Sequence, residues 1–465
     1  MATTFNLRDL ADADSGAATA CMTSAGLTQT AAKTRAELFA QAADNLKQRG
    51  LSSQEPVIAR FVPGRIEVLG KHTDYAGGRS LLAAVERGFC MVAVSRADRR
   101  IRLWSRDAPD IAQFDISPDL SPKIGHWSNY PMTVARRIAR NFAGELCGAD
   151  MAVTSDLPIA SGMSSSSALI VTCFLVLSDI NGLSERPAYT SNIHSPEELA
   201  GYLGTVENGQ TFGSLCGDAG VGTFGGSEDH TAMLCCRSGE LSQYSFCPVR
   251  HERQIEVPAD LVFVVGSSGV VAEKTGAALE LYNRASRLTS AVAETWRTQT
   301  GRSDPHMAAA VASAADAVEQ MREILRKGSY GDFGPKDLQD RFEQFYAESE
   351  EIIPAAGNAL ARGDLERFGD LVDRSQFLTE TLLQNQVAET VFLTASARKC
   401  GAIAASAFGA GFGGSVWSLV KRDSVGDYMA RWQDEYHRAY PQHASLSVFF
   451  ATQAGPAAIK LTPSA

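Results

Sequence analysis

Several stretches of this chain combine residue types and spacings that can act on a phosphorylated or polyhydroxy molecule. The first runs from Pro158 into a loop of small residues, Ser161, Gly162, Met163, Ser164, Ser165, Ser166 and Ser167, and on into an apolar segment of helical length ending at Leu177. Small side chains let backbone N–H groups crowd toward one point. A helix starting there adds the positive end of its dipole, so the loop is suited to an anion. Its hydroxyls can donate to phosphate oxygens or reach Mg²⁺, a hard cation that takes oxygen ligands and substrate phosphates. The plainer alternative is a serine-rich turn that only N-caps a helix.

In the second stretch, Pro63-Gly64-Arg65 precedes Gly70-Lys71-His72-Thr73-Asp74-Tyr75-Ala76-Gly77-Gly78. Donors, acceptors and an aromatic ring between glycines suit the hydrogen bonding of a polyhydroxy ligand. The third, Ser227-Glu228-Asp229-His230, sets two adjacent carboxylates behind a glycine-rich segment. One acid there could take or orient a proton, and the alternative is an exposed turn before a strand at Ala232–Cys236. Finally, Gly409-Ala410-Gly411-Phe412-Gly413-Gly414 permits turns closed to other residues and a close approach to a ligand or another loop.

Such groups need elements to hold them. Ala31–Arg49 has helical apolar spacing, and Ile58–Val62 with Ile66–Leu69 reads as a strand pair broken by a Pro-Gly turn. Phe89–Val94 and Arg100–Trp104 read as strands of a mixed sheet, and Met132–Phe142 and Pro196–Gly204 as helices. A composition shift at His251–Pro258 suggests a domain boundary, followed by a buried strand at Leu261–Val265, helices to Leu393 and a strand at Val416–Val420. Two domains are expected: 1–253, with the serine loop, the His-Thr-Asp-Tyr loop and the paired acids, and 254–465, with the glycine loop.

The chain has 465 residues, of which 45% are hydrophobic and 8% aromatic, enough for two or three packed domains. Net charge is −10 and no run of Lys and Arg is present, which argues against a nucleic acid or an anionic membrane as partner. Nine scattered cysteines without a C-x-x-C pair fit a reducing compartment better than a disulfide framework or a zinc site. Met1–Met22 lacks a basic start followed by an apolar core, and the best apolar run, Ala168–Leu177, is too short to span a bilayer. The expectation is a soluble cytoplasmic protein acting on a small molecule.

Taken together and in this order, the stretches resemble the GHMP kinases, a superfamily of small-molecule kinases. Pro63-Gly64-Arg65 with the loop from Gly70 to Gly78 is similar to the galactokinase signature. The resemblance covers roughly residues 58–420 and implies a two-domain α+β fold. Its N-terminal domain would have a ribosomal S5 domain 2-like core, its C-terminal domain would be ferredoxin-like, and the active site would lie between them. It also implies ATP and Mg²⁺, with Ser161, Gly162, Met163, Ser164, Ser165 and Ser166 around the triphosphate and with Ser166 and Glu207 on the metal. Asp229 would be the catalytic aspartate, as general base or as orienting group, with Arg65 beside it. Lys71, His72, Asp74, Gly226 and Tyr282 would line the sugar pocket. No G-x-x-x-x-G-K-[ST] sequence is present, so a P-loop kinase is not a competitor.

Departures from the family bear on the substrate. Lys71 stands where galactokinases carry a glutamate that accepts from the sugar's outer hydroxyl. That charge reversal leads to the expectation of a carboxylate-bearing acceptor such as galacturonate. Ala160 stands where the family loop often has glycine, and His230 where glutamine is common. Trp104 is a candidate for an adenine pocket, with a core position as the alternative. The leading expectation is an ATP-dependent sugar 1-kinase; its rival is a galactokinase-like sensor that binds sugar and ATP and acts through a protein partner. Retention of both Arg65 and Asp229 favours the enzyme.

Overall fold

The computed structural model describes residues 4–108, 110–123, 125–158, 162–270 and 276–463. Alternating and continuous apolar runs form β1 (Ile58–Leu69), β2 (Arg79–Ser95), β3 (Arg100–Ser105), β4 (Ala112–Asp115), β5 (Ala149–Ser155), β6 (Glu240–Ser245) and β7 (Arg250–Glu256). The second half contributes β8 (Leu261–Ser267), β9 (Ala404–Phe408), β10 (Ser415–Lys421), β11 (Val448–Thr452), β12 (Ala454–Gly455) and β13 (Ile459–Lys460). One mixed sheet runs β13-β1-β2-β5-β3-β4, with β12 and β6 also on β2 and β7 on β6; a second, antiparallel sheet runs β11-β8-β10-β9.

The expected boundary after residue 253 falls inside β7, which pairs with β6 from Arg250 to Glu256. The last strands, β12 and β13, also return to β2 and β1 of the first sheet. Helices 129–141, 165–181 and 196–208 pack on one face of that sheet, and the N-terminal helices, including Gln29–Gln48, on the other. Trp104 belongs to this second core and is 9% exposed, so the core alternative is its place.

Two local expectations change. Ile58–Leu69 is one continuous strand instead of a pair split at Pro63-Gly64, with a register shift between Pro63 and Arg65. Proline cannot donate to a ladder, and here it sits at the edge of the bulge, where the pairing is already interrupted. A Cβ on Gly88, opposite Pro63, would lie 2.2 Å from the Val62 carbonyl, so glycine is what lets β2 pass so close. Beyond the bulge, Arg65 and Glu67 share one face of β1, two residues apart. The expected strand at Ala232–Cys236 is instead the end of a helix, Glu228–Cys235. A short apolar run cannot distinguish the two states, and Glu228 and Asp229 in the first turn favour the helix through its dipole.

The second sheet buries one face against β1, β2 and helices 353–361 and 365–378, and the other against helices 388–399 and 425–439. A further cluster of helices, 276–300, 307–311, 317–325 and 335–346, packs its apolar stripe beneath Ala76. This helical cluster therefore supports the His-Thr-Asp-Tyr loop from below.

Candidate active site

The four stretches converge. A cavity of about 470 Å³ is lined by Arg65 and Glu67 of β1, by His72 and Asp74, by Gly162 and Ser164–Ser166, by Glu207, Gly226, Glu228 and Asp229, and by Tyr282 and Gly409. At its centre the Arg65 guanidinium donates through Nε to Asp229 Oδ1 at 2.8 Å and through Nη1 to the Gly162 carbonyl at 2.5 Å. Burial opposes the Arg65 charge, yet Asp229, Glu67 and Glu228 around it outweigh that and hold its pKa above the usual value. The other Asp229 oxygen, Oδ2, accepts from Ser164 Oγ at 2.5 Å and from Ser167 Oγ at 3.3 Å. Both oxygens of the acid are thus aimed by neighbours on β1 and on the serine loop.

That loop reaches the helix Ser165–Asn181 through Gly162 at φ 74° and Ser164 at φ 59°, left-handed conformations that let the chain turn sharply. Ser161 and Ala160 lie outside the described residues; Gly162, Ser164, Ser165 and Ser166 line the cavity at the positive end of this 17-residue helix. Met163 is fully buried in the core beneath and does not line the cavity. Helix 196–208, started by Ser195 accepting from Glu198 N–H, brings Glu207 into line with Ser167, whose hydroxyl is 2.8 Å from Glu207 Oε2. His230 Nε2 lies 3.2 Å from the same oxygen.

The Ser165 and Ser166 hydroxyls and the Glu207 carboxylate are hard oxygen donors on one cavity, the set Mg²⁺ takes alongside phosphate oxygens. Among the described residues, no group of three or more His, Cys, Asp or Glu side chains is assembled to hold a metal without such help.

On the opposite wall, Asp74 accepts from the Tyr75 N–H at 2.8 Å and the Glu228 N–H at 3.1 Å, while burial pushes its pKa up. A Cβ on Gly226 would lie 2.3 Å from Asp74 Oδ2, so glycine there is a steric requirement. The His72 and Tyr282 rings stand 5.5 Å apart at the mouth of this wall. Glu228 is buried, accepts from Ser80 Oγ at 2.5 Å and has its pKa driven well up by burial and by the acids around it.

Lys71 is where the structure departs from expectation. Its side chain is 1% exposed, turns below the loop and places Nζ 3.3 Å from Ser375 Oγ; it is absent from the cavity wall. Its charge is felt instead by Glu67, whose carboxyl accepts from the Gly409 N–H at 3.1 Å and is pushed by burial up to about 7.

Sequence reading missed Glu67 as part of the site; it took in Ser167 with the serine run and Glu228 with the paired acids but gave neither a role of its own. Glu67 could have been found as a carboxylate inside a buried strand. Sequence reading also missed the apolar end of the cavity, lined by Phe89, Trp127, Tyr130, Leu157 and Leu169, whose residues come from five separate elements and loops. No local pattern marks such a set.

Residues 129–226 match the GHMP kinases N terminal domain, 50–96 the galactokinase galactose-binding signature and 358–438 the GHMP kinases C terminal domain. A galactokinase of Roseiflexus sp. (strain RS-1) is 30% identical over 402 residues, spanning 84% of this chain and 90% of that protein. One of Chloroflexus aurantiacus is 30% identical over 386 residues, covering 82% and 87%. The crystal structure of Lactococcus lactis galactokinase complexed with galactose superposes with a TM-score of 0.71 at 22% identity, covering 87% of this chain and 95% of that one. Methanococcus jannaschii mevalonate kinase shares the fold at a TM-score of 0.51 and 13% identity, covering 87% and 99%.

Fold and cavity define a small-molecule phosphotransferase of the two-domain α+β GHMP kinase type, with an alcohol group as acceptor. Within that superfamily the chain belongs to the galactokinase family.

Proposed function

We propose that the protein is an ATP- and Mg²⁺-dependent sugar 1-kinase that transfers the γ-phosphoryl group to the anomeric hydroxyl of galactose or a close epimer. The observation that carries this is the Arg65–Asp229 pair, 2.8 Å apart, in one cavity with the serine loop at a helix N-terminus. Phosphoryl transfer asks little covalent chemistry of a protein; it needs the two reactants in line and the developing charge neutralised. Ser164, Ser165, Ser166 and the helix dipole would receive the triphosphate, and the apolar end lined by Phe89, Trp127 and Tyr130 offers a place for the nucleoside base. Mg²⁺, held by Ser166 and Glu207 with phosphate oxygens, would supply neutralising charge.

Asp229 would hold the acceptor hydroxyl and take its proton as the bond to phosphorus forms. Arg65 and Ser164 bonded to it fix both of its oxygens, so that it can orient the hydroxyl as well as accept from it. Asp74, Tyr282 and the Gly226 backbone would line the sugar.

With Lys71 turned to Ser375 and the Arg65 charge on the cavity wall already engaged by Asp229, the acceptor proposed is a neutral sugar in place of a uronic acid. The nine cysteines, all unpaired, support a reducing cytoplasmic setting, and among the described residues no helix is long and apolar enough to cross a membrane. The test is incubation with ATP, Mg²⁺ and a panel of sugars, with products identified by ³¹P NMR. Galactose 1-phosphate or an epimer's 1-phosphate is expected. Sugar and ATP binding without turnover would instead favour the sensor reading.

A further inference from the structure

Arg341, on the helix Pro335–Tyr346, is a buried guanidinium whose donors go to neutral partners. Nε donates to Thr289 Oγ1 at 3.0 Å, Nη1 to Gln344 Oε1 at 2.5 Å and Nη2 to the His72 carbonyl. Gln344 in turn donates to the Lys71 carbonyl at 3.3 Å, and the Tyr75 hydroxyl faces Arg341 and Thr289. A charge is expensive to bury with no carboxylate bonded to it; burial lowers the Arg341 pKa, and the groups that offset this, Tyr75 and Asp74, both sit on the loop it holds.

What it holds is the His-Thr-Asp-Tyr loop. The Tyr75 hydroxyl is 2.6 Å from His72 Nδ1, and His72 Nε2 is 3.2 Å from the Ala410 carbonyl in the glycine loop. A carbonyl only accepts, so Nε2 carries a proton, and in the neutral imidazole Nδ1 then accepts from the Tyr75 O–H. The Tyr75 oxygen is then left to accept from Arg341, which only donates. One direction of donation runs from Arg341 through Tyr75 and His72 to Ala410. It crosses the loop that also carries Asp74, and it supports His72 at φ 58°, a backbone region costly for a non-glycine residue.

We propose that Arg341 is a positioning residue for the acceptor side of the site: it fixes the Nε2–H tautomer of His72 and the left-handed turn that presents His72 and Asp74 to the sugar. The proposal rests on the kinase reading for its kinetic consequence but not for its tautomer consequence. Arg341 touches neither the serine loop nor Glu207 among the described contacts, so its first effect is on the acceptor side.

The test uses the full-length protein and the variants Arg341→Lys, Tyr75→Phe and both together. First, ¹⁵N-histidine labelling, with His72→Gln to assign the signal, reads the His72 tautomer without any substrate. Wild type is expected to show Nε2–H, and both single variants a mixed population. Second, the sugar KM is expected to rise at least about tenfold in each single variant with the ATP KM unchanged, and the double variant to be no worse than the poorer single one, as for residues in one chain. A wild-type Nδ1–H tautomer overturns the proposal whether or not the protein turns over a sugar. So does a fall in thermal stability in which the His72 signal stays unchanged, or in which the sugar and ATP KM rise together.

Discussion

Lys71 Nζ and Ser375 Oγ lie 3.3 Å apart, joining the loop that carries Asp74 to a helix 304 residues further along the chain. A residue whose charge suggests substrate contact is therefore part of the support beneath the loop. Lys71→Met should leave the ratio of kcat/KM for galactose and galacturonate changed by less than about threefold, since no wall contact is lost. It should lower thermal stability, because Ser375 and Glu67 lose a partner charge or donor in a buried setting. Steady-state kinetics on the two sugars, with a melting curve, checks both.

Gly226→Ala probes the opposite wall. The new methyl would sit 2.3 Å from Asp74 Oδ2 and must push it aside. The sugar KM should rise at least about tenfold, the cost of moving a positioned binding group by a fraction of an ångström, while the ATP KM changes little. Calorimetric titration of each ligand separates the two.

Glu67 gives a pH signature in stability. Burial pushes its carboxyl up to about 7 in the folded protein, against about 4.5 when unfolded. Between those values the folded state holds a proton that the unfolded state has lost, so stability falls as pH rises through this window and then levels off. The contribution is on the order of 3 kcal/mol. Glu67→Gln removes the titration while keeping an acceptor for the Gly409 N–H. Its urea stability relative to wild type should therefore improve from pH 5 to pH 8, and a constant difference would count against the buried, proton-holding carboxyl.

Ser167→Ala removes the hydroxyl that stands between Glu207 and Asp229, 2.8 Å from one and 3.3 Å from the other. With two acids left facing each other, kcat should fall roughly tenfold or more and the Mg²⁺ dependence should shift, as when a group orienting a metal ligand is lost. A magnesium titration of initial rate reads this.

Much of this site was legible beforehand because its parts are local. The serine run before an apolar helix, the loop from Gly70 to Gly78 and the Glu228-Asp229 pair each announce themselves through spacing that short-range geometry enforces. What escaped depends on direction and distance. Lys71 follows Gly70 at φ 128°, a turn that sends its side chain below the loop, and no residue type encodes that. Arg341 reads as one more cation on an amphipathic helix until the fold carries it to the His72 carbonyl. The helix at Glu228–Cys235 and the unbroken β1 were missed for a similar reason: runs of five apolar residues fit either state, and a partner strand tolerates Pro63 at a bulge.

The central claim is that Asp229 and Arg65 act on an alcohol facing a bound triphosphate. Transfer of label from γ-labelled ATP to galactose, compared between wild type and Asp229→Asn under saturating Mg²⁺, tests it most directly. The expected result is labelled sugar 1-phosphate from wild type and a loss of about 100-fold or more in the variant with nucleotide affinity retained; equal transfer by both proteins would contradict it.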